Sequence, residues 1–152
     1  MIKQIINVRR KKFATGLFWQ PLSVGNASSN YAKQLSQNID KKYSLYVGYK
    51  SMVGLGDKST GIYAGLTSAA AEIVDSLSEF VSFLGVFQVN NGYYLVAVRN
   101  GVIIRDILFE NADRARKEYA ELSNIPDWGA LFAPASWGMP RSQEMFLYDL
   151  IR

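Results

Sequence analysis

Three runs of strand-forming residues, Phe83–Val89, Tyr93–Arg99 and Val102–Phe109, stand one after another with almost nothing between them. Their joints are Asn90-Asn91-Gly92 and Asn100-Gly101. Asn-Gly between strands favours a type I′ hairpin turn, because both central residues must take positive φ. The segment therefore reads as a three-stranded antiparallel meander. No other stretch of the chain restricts the fold as strongly.

The residues after the meander extend it. Asn111 is placed to cap a helix from Ala112 to about Leu122, since its side chain can accept from the first free amides. In that helix Arg114 and Glu118 stand four apart, as do Lys117 and Glu121. Pro126 closes it. Trp128–Ala133 reads as a strand ending at Pro134, and Ser142 opens a last helix through Met145-Phe146-Leu147 to Leu150-Ile151. From Phe83 onward the order is β-β-β-α-β-α. By pattern it matches the ribonuclease-H-like unit of actin-type domains, and such an analogy carries no function by itself.

The first half is written less clearly. Ile2–Val8 reads as a strand, Arg9-Arg10-Lys11-Lys12 as a turn, and Phe13–Gln20 as a second strand stopped by Pro21. Val24–Asn30 is a Gly/Ser/Asn loop, and Ser29 or Asn30 can cap a helix running to about Ile39. Tyr43–Lys50 reads as a strand, Ser51–Gly61 as a Gly-rich loop and Ile62–Leu66 as a short strand. Thr67 caps a helix from Ser68 to about Phe80, with Ile73, Leu77 and Phe80 on one face. The fold class is α/β: mixed sheets with helices. The 152 residues make a single domain, or two lobes of about 1–82 and 83–152 sharing a core.

Composition limits the chemistry. The chain has no Cys and no His. That excludes a thiol nucleophile, an imidazole base, a Ser-His-Asp triad, a Cys/His zinc site and a disulfide framework. The longest nearly apolar stretch, Phe80–Val89, is half the ~20 residues that a membrane-spanning helix needs. The chain as it stands reads as a soluble domain without a signal peptide.

Charge is distributed unevenly. Residues 1–76 carry ten Lys/Arg against Asp40, Asp57, Glu72 and Asp75. Residues 77–152 carry seven against nine Asp/Glu, so the overall +4 divides into +6 and −2. Four of the positive charges form the run Arg9-Arg10-Lys11-Lys12. Such a run suits phosphates, anionic lipid or an acidic protein face, and it also suits a solvated turn. Nucleic acid is not indicated, because a footprint for it interleaves basic residues with stacking aromatics across a surface.

Two segments invite a reading as chemical sites. Gly54-Leu55-Gly56-Asp57-Lys58-Ser59-Thr60-Gly61 resembles a phosphate loop. Asp57 interrupts the required Gly-Lys-Ser/Thr, and a strand rather than a helix is expected after it. Asp106 and Glu110 stand four apart on or near the third meander strand. Even spacing puts them on one face, where they could meet a cation. Trp137, near Gly138 and Pro140, reads as a loop residue and is the aromatic most expected at a partner contact.

The chain resembles the cytoplasmic N-terminal domain of type IVb pilus biogenesis proteins, the PilO-like inner-membrane proteins that include the C protein of the bundle-forming pilus system (BfpC). The likeness rests on Lys12-Phe13-Ala14-Thr15-Gly16-Leu17-Phe18-Trp19, Leu84-Gly85-Val86-Phe87 and Gly92-Tyr93-Tyr94-Leu95-Val96-Ala97-Val98-Arg99-Asn100-Gly101. It continues through a helix at Asp113–Leu122, Asp127-Trp128 and an Ala133-Pro134 segment leading to Trp137. These motifs are hydrophobic and structural. The segment 54–61 aligns with nothing in that family.

The resemblance implies a non-enzymatic scaffold on the cytoplasmic side of the bacterial inner membrane. Its partners would be the hexameric pilus assembly ATPase and a polytopic platform protein, with a homodimer as a further option. It implies a transmembrane helix and a periplasmic part downstream, as the only tie to the membrane. It also implies an actin-like fold whose nucleotide site is degenerate, with no cofactor or metal. Candidate partner-binding residues are Arg9, Arg10, Lys11, Lys12, Arg114, Lys117 and Trp137. Two alternatives come from other classes: a nucleotide-binding actin-like protein, and a small carboxylate-dependent hydrolase built on Asp106 and Glu110.

Overall fold

The computed structural model of the chain describes residues 2–21 and 39–151. The expected loop at 24–30 and the helix ending near Ile39 lie outside the described residues, apart from Ile39 itself. The strands are β1 (Ile5–Val8), β2 (Lys11–Ala14), β3 (Phe18–Pro21), β4 (Tyr43–Tyr49), β5 (Met52–Asp57), β6 (Thr67–Ser68), β7 (Phe83–Val89), β8 (Gly92–Arg99), β9 (Val102–Phe109) and β10 (Ala130–Phe132). The helices that lie wholly among the described residues are α1 (Ala69–Ser76), α2 (Ala112–Ser123) and the single turn α3 (Leu147–Leu150). Short 3-10 turns stand at Lys58–Thr60 and Ala135–Trp137.

The meander forms as its sequence predicts and becomes part of a four-stranded sheet ordered β10-β7-β8-β9. Strands β7, β8 and β9 pair antiparallel, and β10 returns parallel to β7 through α2. Asn100 and Gly101 both take positive φ, at 52° and 80°. The first joint differs. Val89 pairs with Gly92, so Asn90-Asn91 form the turn, and neither adopts positive φ.

Both faces of this sheet are covered. On one face Phe83, Phe87, Tyr94, Val96 and Val98 join the main core with Ile6, Phe13, Ile73, Leu77 and Leu147. On the other, Leu84, Val86, Leu95 and Ala97 pack with Ala115 and Tyr119 of α2 and with Trp137. A strand buried on both sides has no polar face to alternate with. That is why β7 and β8 read as nearly continuous apolar runs. The main core draws residues from both halves of the chain.

The first half departs from its sequence reading at three points. Gly16, at φ 73°, breaks the expected strand 13–20 into β2 and β3, which join different sheets. The expected loop 51–61 is mostly β5, the central strand of a sheet ordered β3-β5-β4, with Met52–Gly56 buried. The expected strand at 62–66 is replaced by a two-residue β6 that pairs parallel with β2. Helix α1 is capped by the Ser68 hydroxyl, which accepts from Ala71 N, and stops four residues short of Phe80.

Candidate functional site

The polar centre of the molecule is the carboxylate of Asp106, in the middle of β9 and only 4% exposed. Three donors reach it. Gly16 N and Tyr94 Oη donate to Oδ1 at 3.0 and 2.6 Å, and Trp19 Nε1 donates to Oδ2 at 2.9 Å. The break at Gly16 turns the chain so that its own amide and the Trp19 indole both face β9. Burial pushes the Asp106 carboxyl up from the usual 3.8 to about 6. The hydrogen bonds from Tyr94, Trp19 and Gly16 oppose that rise by stabilising the charged form. The Tyr94 hydroxyl is held well above its ordinary value, by burial first and by the neighbouring carboxylate second.

Gln4 sits beside this carboxylate and completes the seam. Its Nε2 donates to Leu108 O at 3.0 Å, and its Oε1 accepts from Leu108 N and Thr15 Oγ1, both at 2.9 Å. The side-chain amide thus satisfies both backbone groups of Leu108, as a neighbouring strand would. Among the described residues no buried side-chain nitrogen or oxygen lacks a partner. The cluster is a fastening between the first half of the chain and β9, with its donors and acceptors already matched.

This arrangement corrects the reading of Asp106 and Glu110 as a shared cation site. Strand β9 ends at Phe109, so the period-two argument stops there. Asp106 points into the seam while Glu110 is exposed at the strand's end. Among the described residues no three Asp or Glu side chains gather in a way that would hold a metal. The phosphate-loop resemblance dissolves too. A β-carbon at Gly54 would lie 3.0 Å from the Trp19 ring, and one at Gly56 would lie 2.7 Å from Ile62 Cδ1. The glycines of β5 make room for neighbouring side chains. Asp57 caps the 3-10 turn by accepting from Ser59 N at 2.9 Å, and the Ser59 hydroxyl first and its amide second hold the Asp57 carboxyl below the usual value.

The seven candidate contact residues fall into three groups. Arg10, Lys11 and Lys12 are exposed at the tip and start of the β1–β2 hairpin. Arg9 shares the turn but is engaged: its Nε donates to the carbonyls of Tyr148 at 3.0 Å and Ile151 at 3.2 Å. Arg114 and Lys117 are exposed on α2. Arg114 lies 6.0 Å from the Phe109 ring centre. Its expected partner Glu118 instead forms a two-pronged pair with Arg105 of β9, at 2.7 and 2.8 Å. Trp137, expected in a loop at a partner contact, ends the 3-10 turn Ala135–Trp137 and is buried. It is 8% exposed, stacked on Tyr93 at 5.7 Å and set edge-on to Tyr119 at 6.1 Å.

Sequence reading misses Gln4, Thr15 and the exposed Phe146 and Tyr148. Gln4 carries no local signal, since its partners lie 11 and 104 residues away. By sequence, Phe146 and Tyr148 fall inside a longer helix from Ser142 to Ile151, whereas only Leu147–Leu150 is helical.

Comparison with known proteins gives two findings. A family profile described as pilin accessory protein (PilO) matches residues 13–152. The crystal structure of the cytoplasmic domain of BfpC superposes with a TM-score of 0.75 at 20% sequence identity, over 97% of this chain and 91% of that one. Among curated proteins nothing matches the chain.

Proposed function

Since the chain belongs to the pilin accessory protein (PilO) family, we propose that it is a non-enzymatic docking domain of a type IV pilus assembly platform. It stands on the cytoplasmic side of the inner membrane and contacts the assembly ATPase and the polytopic platform protein. The carrying observation is the use made of the buried acid. Asp106 spends its carboxylate on Gly16, Trp19 and Tyr94, while the charges of α2 remain at the surface. The arrangement suits a rigid body with contact faces better than a cleft with reacting groups.

The outer face of α2 is the docking surface for the ATPase. Asp113, Arg114, Lys117 and Glu121 are exposed along it. Ala115 and Tyr119 anchor the opposite side in the core, and the Arg105–Glu118 pair ties the helix to β9. The mixed signs give the face a register as well as an attraction. The β9-β8-β7-β10 order with a parallel last strand supports reading the second half as a ribonuclease-H-like unit kept for binding. Trp137 has no part in the contact, because its ring is consumed by Tyr93 and Tyr119.

Pull-down of the cognate ATPase by the chain, with ATP turnover measured alongside, tests the reading. Binding with altered turnover is expected. Isothermal titration with ATP and Mg²⁺ should give no heat, and a saturable signal would favour the nucleotide-binding alternative.

A further inference from the structure

The tip of the β1–β2 hairpin is built from two consecutive arginines in a left-handed conformation, Arg9 at φ 52° and Arg10 at φ 67°. Asn-Gly adopts such a turn at much lower cost. The chain bears the cost and keeps cations there, with Lys11 and Lys12 immediately after them, all exposed. Beside this tip lie two large aromatics that the core does not take up: Phe146 is 53% exposed and Tyr148 59%. Arg9 fixes the position of Tyr148. Besides donating to the carbonyls of Tyr148 and Ile151, its guanidinium stacks 3.8 Å from the centre of the Tyr148 ring. Arg9, Phe146 and Tyr148 line one shallow groove with Gln88, Val89 and Asn90. The nearby acids are Asp149 on α3 and Glu144, whose carboxylate already accepts from Ala135 N. The balance at the tip remains positive.

We propose that the hairpin tip and the Phe146/Tyr148 ridge together form a contact surface for an anionic lipid bilayer. Arg10, Lys11 and Lys12 meet the phosphate-bearing headgroups, and the two rings enter the headgroup layer. An anionic bilayer offers negative charge and an apolar layer in one plane, which is the pairing this surface presents. A purely acidic protein face would satisfy the cations and leave a half-exposed phenyl group in water. Arg9 acts as a positioning residue: it ties the aromatic ridge to the cationic tip so that both reach one plane. The contact is separate from the ATPase-docking face on α2 and does not depend on it.

Co-sedimentation of the full chain with vesicles decides the matter. Equimolar phosphatidylglycerol–phosphatidylcholine vesicles should bind it, phosphatidylcholine vesicles should not, and added salt should weaken the binding. The triple variant Arg10→Glu/Lys11→Glu/Lys12→Glu should bind the anionic vesicles at least about tenfold more weakly, since each cation near such a surface adds a similar increment. Phe146→Ser should lower binding and leave the remainder more salt-sensitive. Thermal melts of both variants should match the parent, because none of these four side chains is in the core. Equal binding by the parent and the triple variant would overturn the proposal. So would a parent that ignores anionic vesicles, and loss of the ATPase contact by the triple variant would then make the tip a protein-binding surface.

Discussion

Trp19 donates its indole N–H to Asp106 at 2.9 Å across 87 residues of sequence. This bond joins β3, in one sheet, to the outer strand of another. It makes the buried carboxylate the point at which the two halves of the chain are held in register. Because the group is buried and yet titratable, the fastening has a pH dependence.

Asp106 titrates at about 6 in the folded chain against 3.8 ordinarily. A raised acid binds its proton more tightly folded than unfolded. Its favourable contribution is therefore complete below the unfolded value and lost as pH rises through the folded one. Relative to Asp106→Asn, the stability of the parent should fall by about 3 kcal/mol between those two values and then level off. Urea unfolding of both proteins across that range measures the difference. Parallel pH profiles for the two would contradict the assignment.

Gln4 stands in for a strand against Leu108. Gln4→Leu leaves the Leu108 amide and carbonyl and the Thr15 hydroxyl without their partner, at about 1–3 kcal/mol for each buried group left unpaired. Hydrogen exchange at the Leu108 amide should accelerate far more than exchange at Val96, inside the sheet. Uniform acceleration would mean that Gln4 only supports global stability.

Gly92 faces the backbone of β9. A β-carbon there would stand 2.1 Å from Phe109 O, an overlap that no rotamer can relieve. Gly92→Ala should open the Tyr93–Phe109 end of the β8–β9 ladder and destabilise the chain by roughly 3 kcal/mol, in the range of strongly disruptive substitutions. Gly48→Ala, in open space, is the control and should change little.

Trp137 is a packing residue, so Trp137→Ala should cost about 3–5 kcal/mol, as large aromatic truncations in cores do. At a temperature where the variant stays folded, its affinity for the ATPase should equal the parent's. Loss of affinity without loss of stability would restore the ring to the contact surface.

The second half is legible because its signals are local. Asn100-Gly101, the unbroken apolar runs of β7 and β8, and the Asn111 cap of α2 each act within a few residues, and the sheet forms around them. The first half is harder for a physical reason. The glycines of β5 resemble a loop in sequence, yet they are there because Trp19 and Ile62 need the space. Only tertiary packing carries that information. Asp106 shows the same limit. Period two places it beside Glu110, whereas its partners come from Gly16, Trp19 and Tyr94. Trp137 looks exposed because glycine and proline surround it, and the rings that cover it lie 44 and 18 residues away.

The docking face that α2 is proposed to present to the assembly ATPase rests on Arg114 and Lys117. ATP turnover of that enzyme, titrated with the parent chain and with Arg114→Glu/Lys117→Glu, decides whether the face is used. Both side chains are exposed, so the fold should be unaffected. The parent should give a saturable change in turnover, and the variant a response at least about tenfold weaker, as for charge pairs at protein contacts. No response to the parent, or the same response to both chains, would contradict that use.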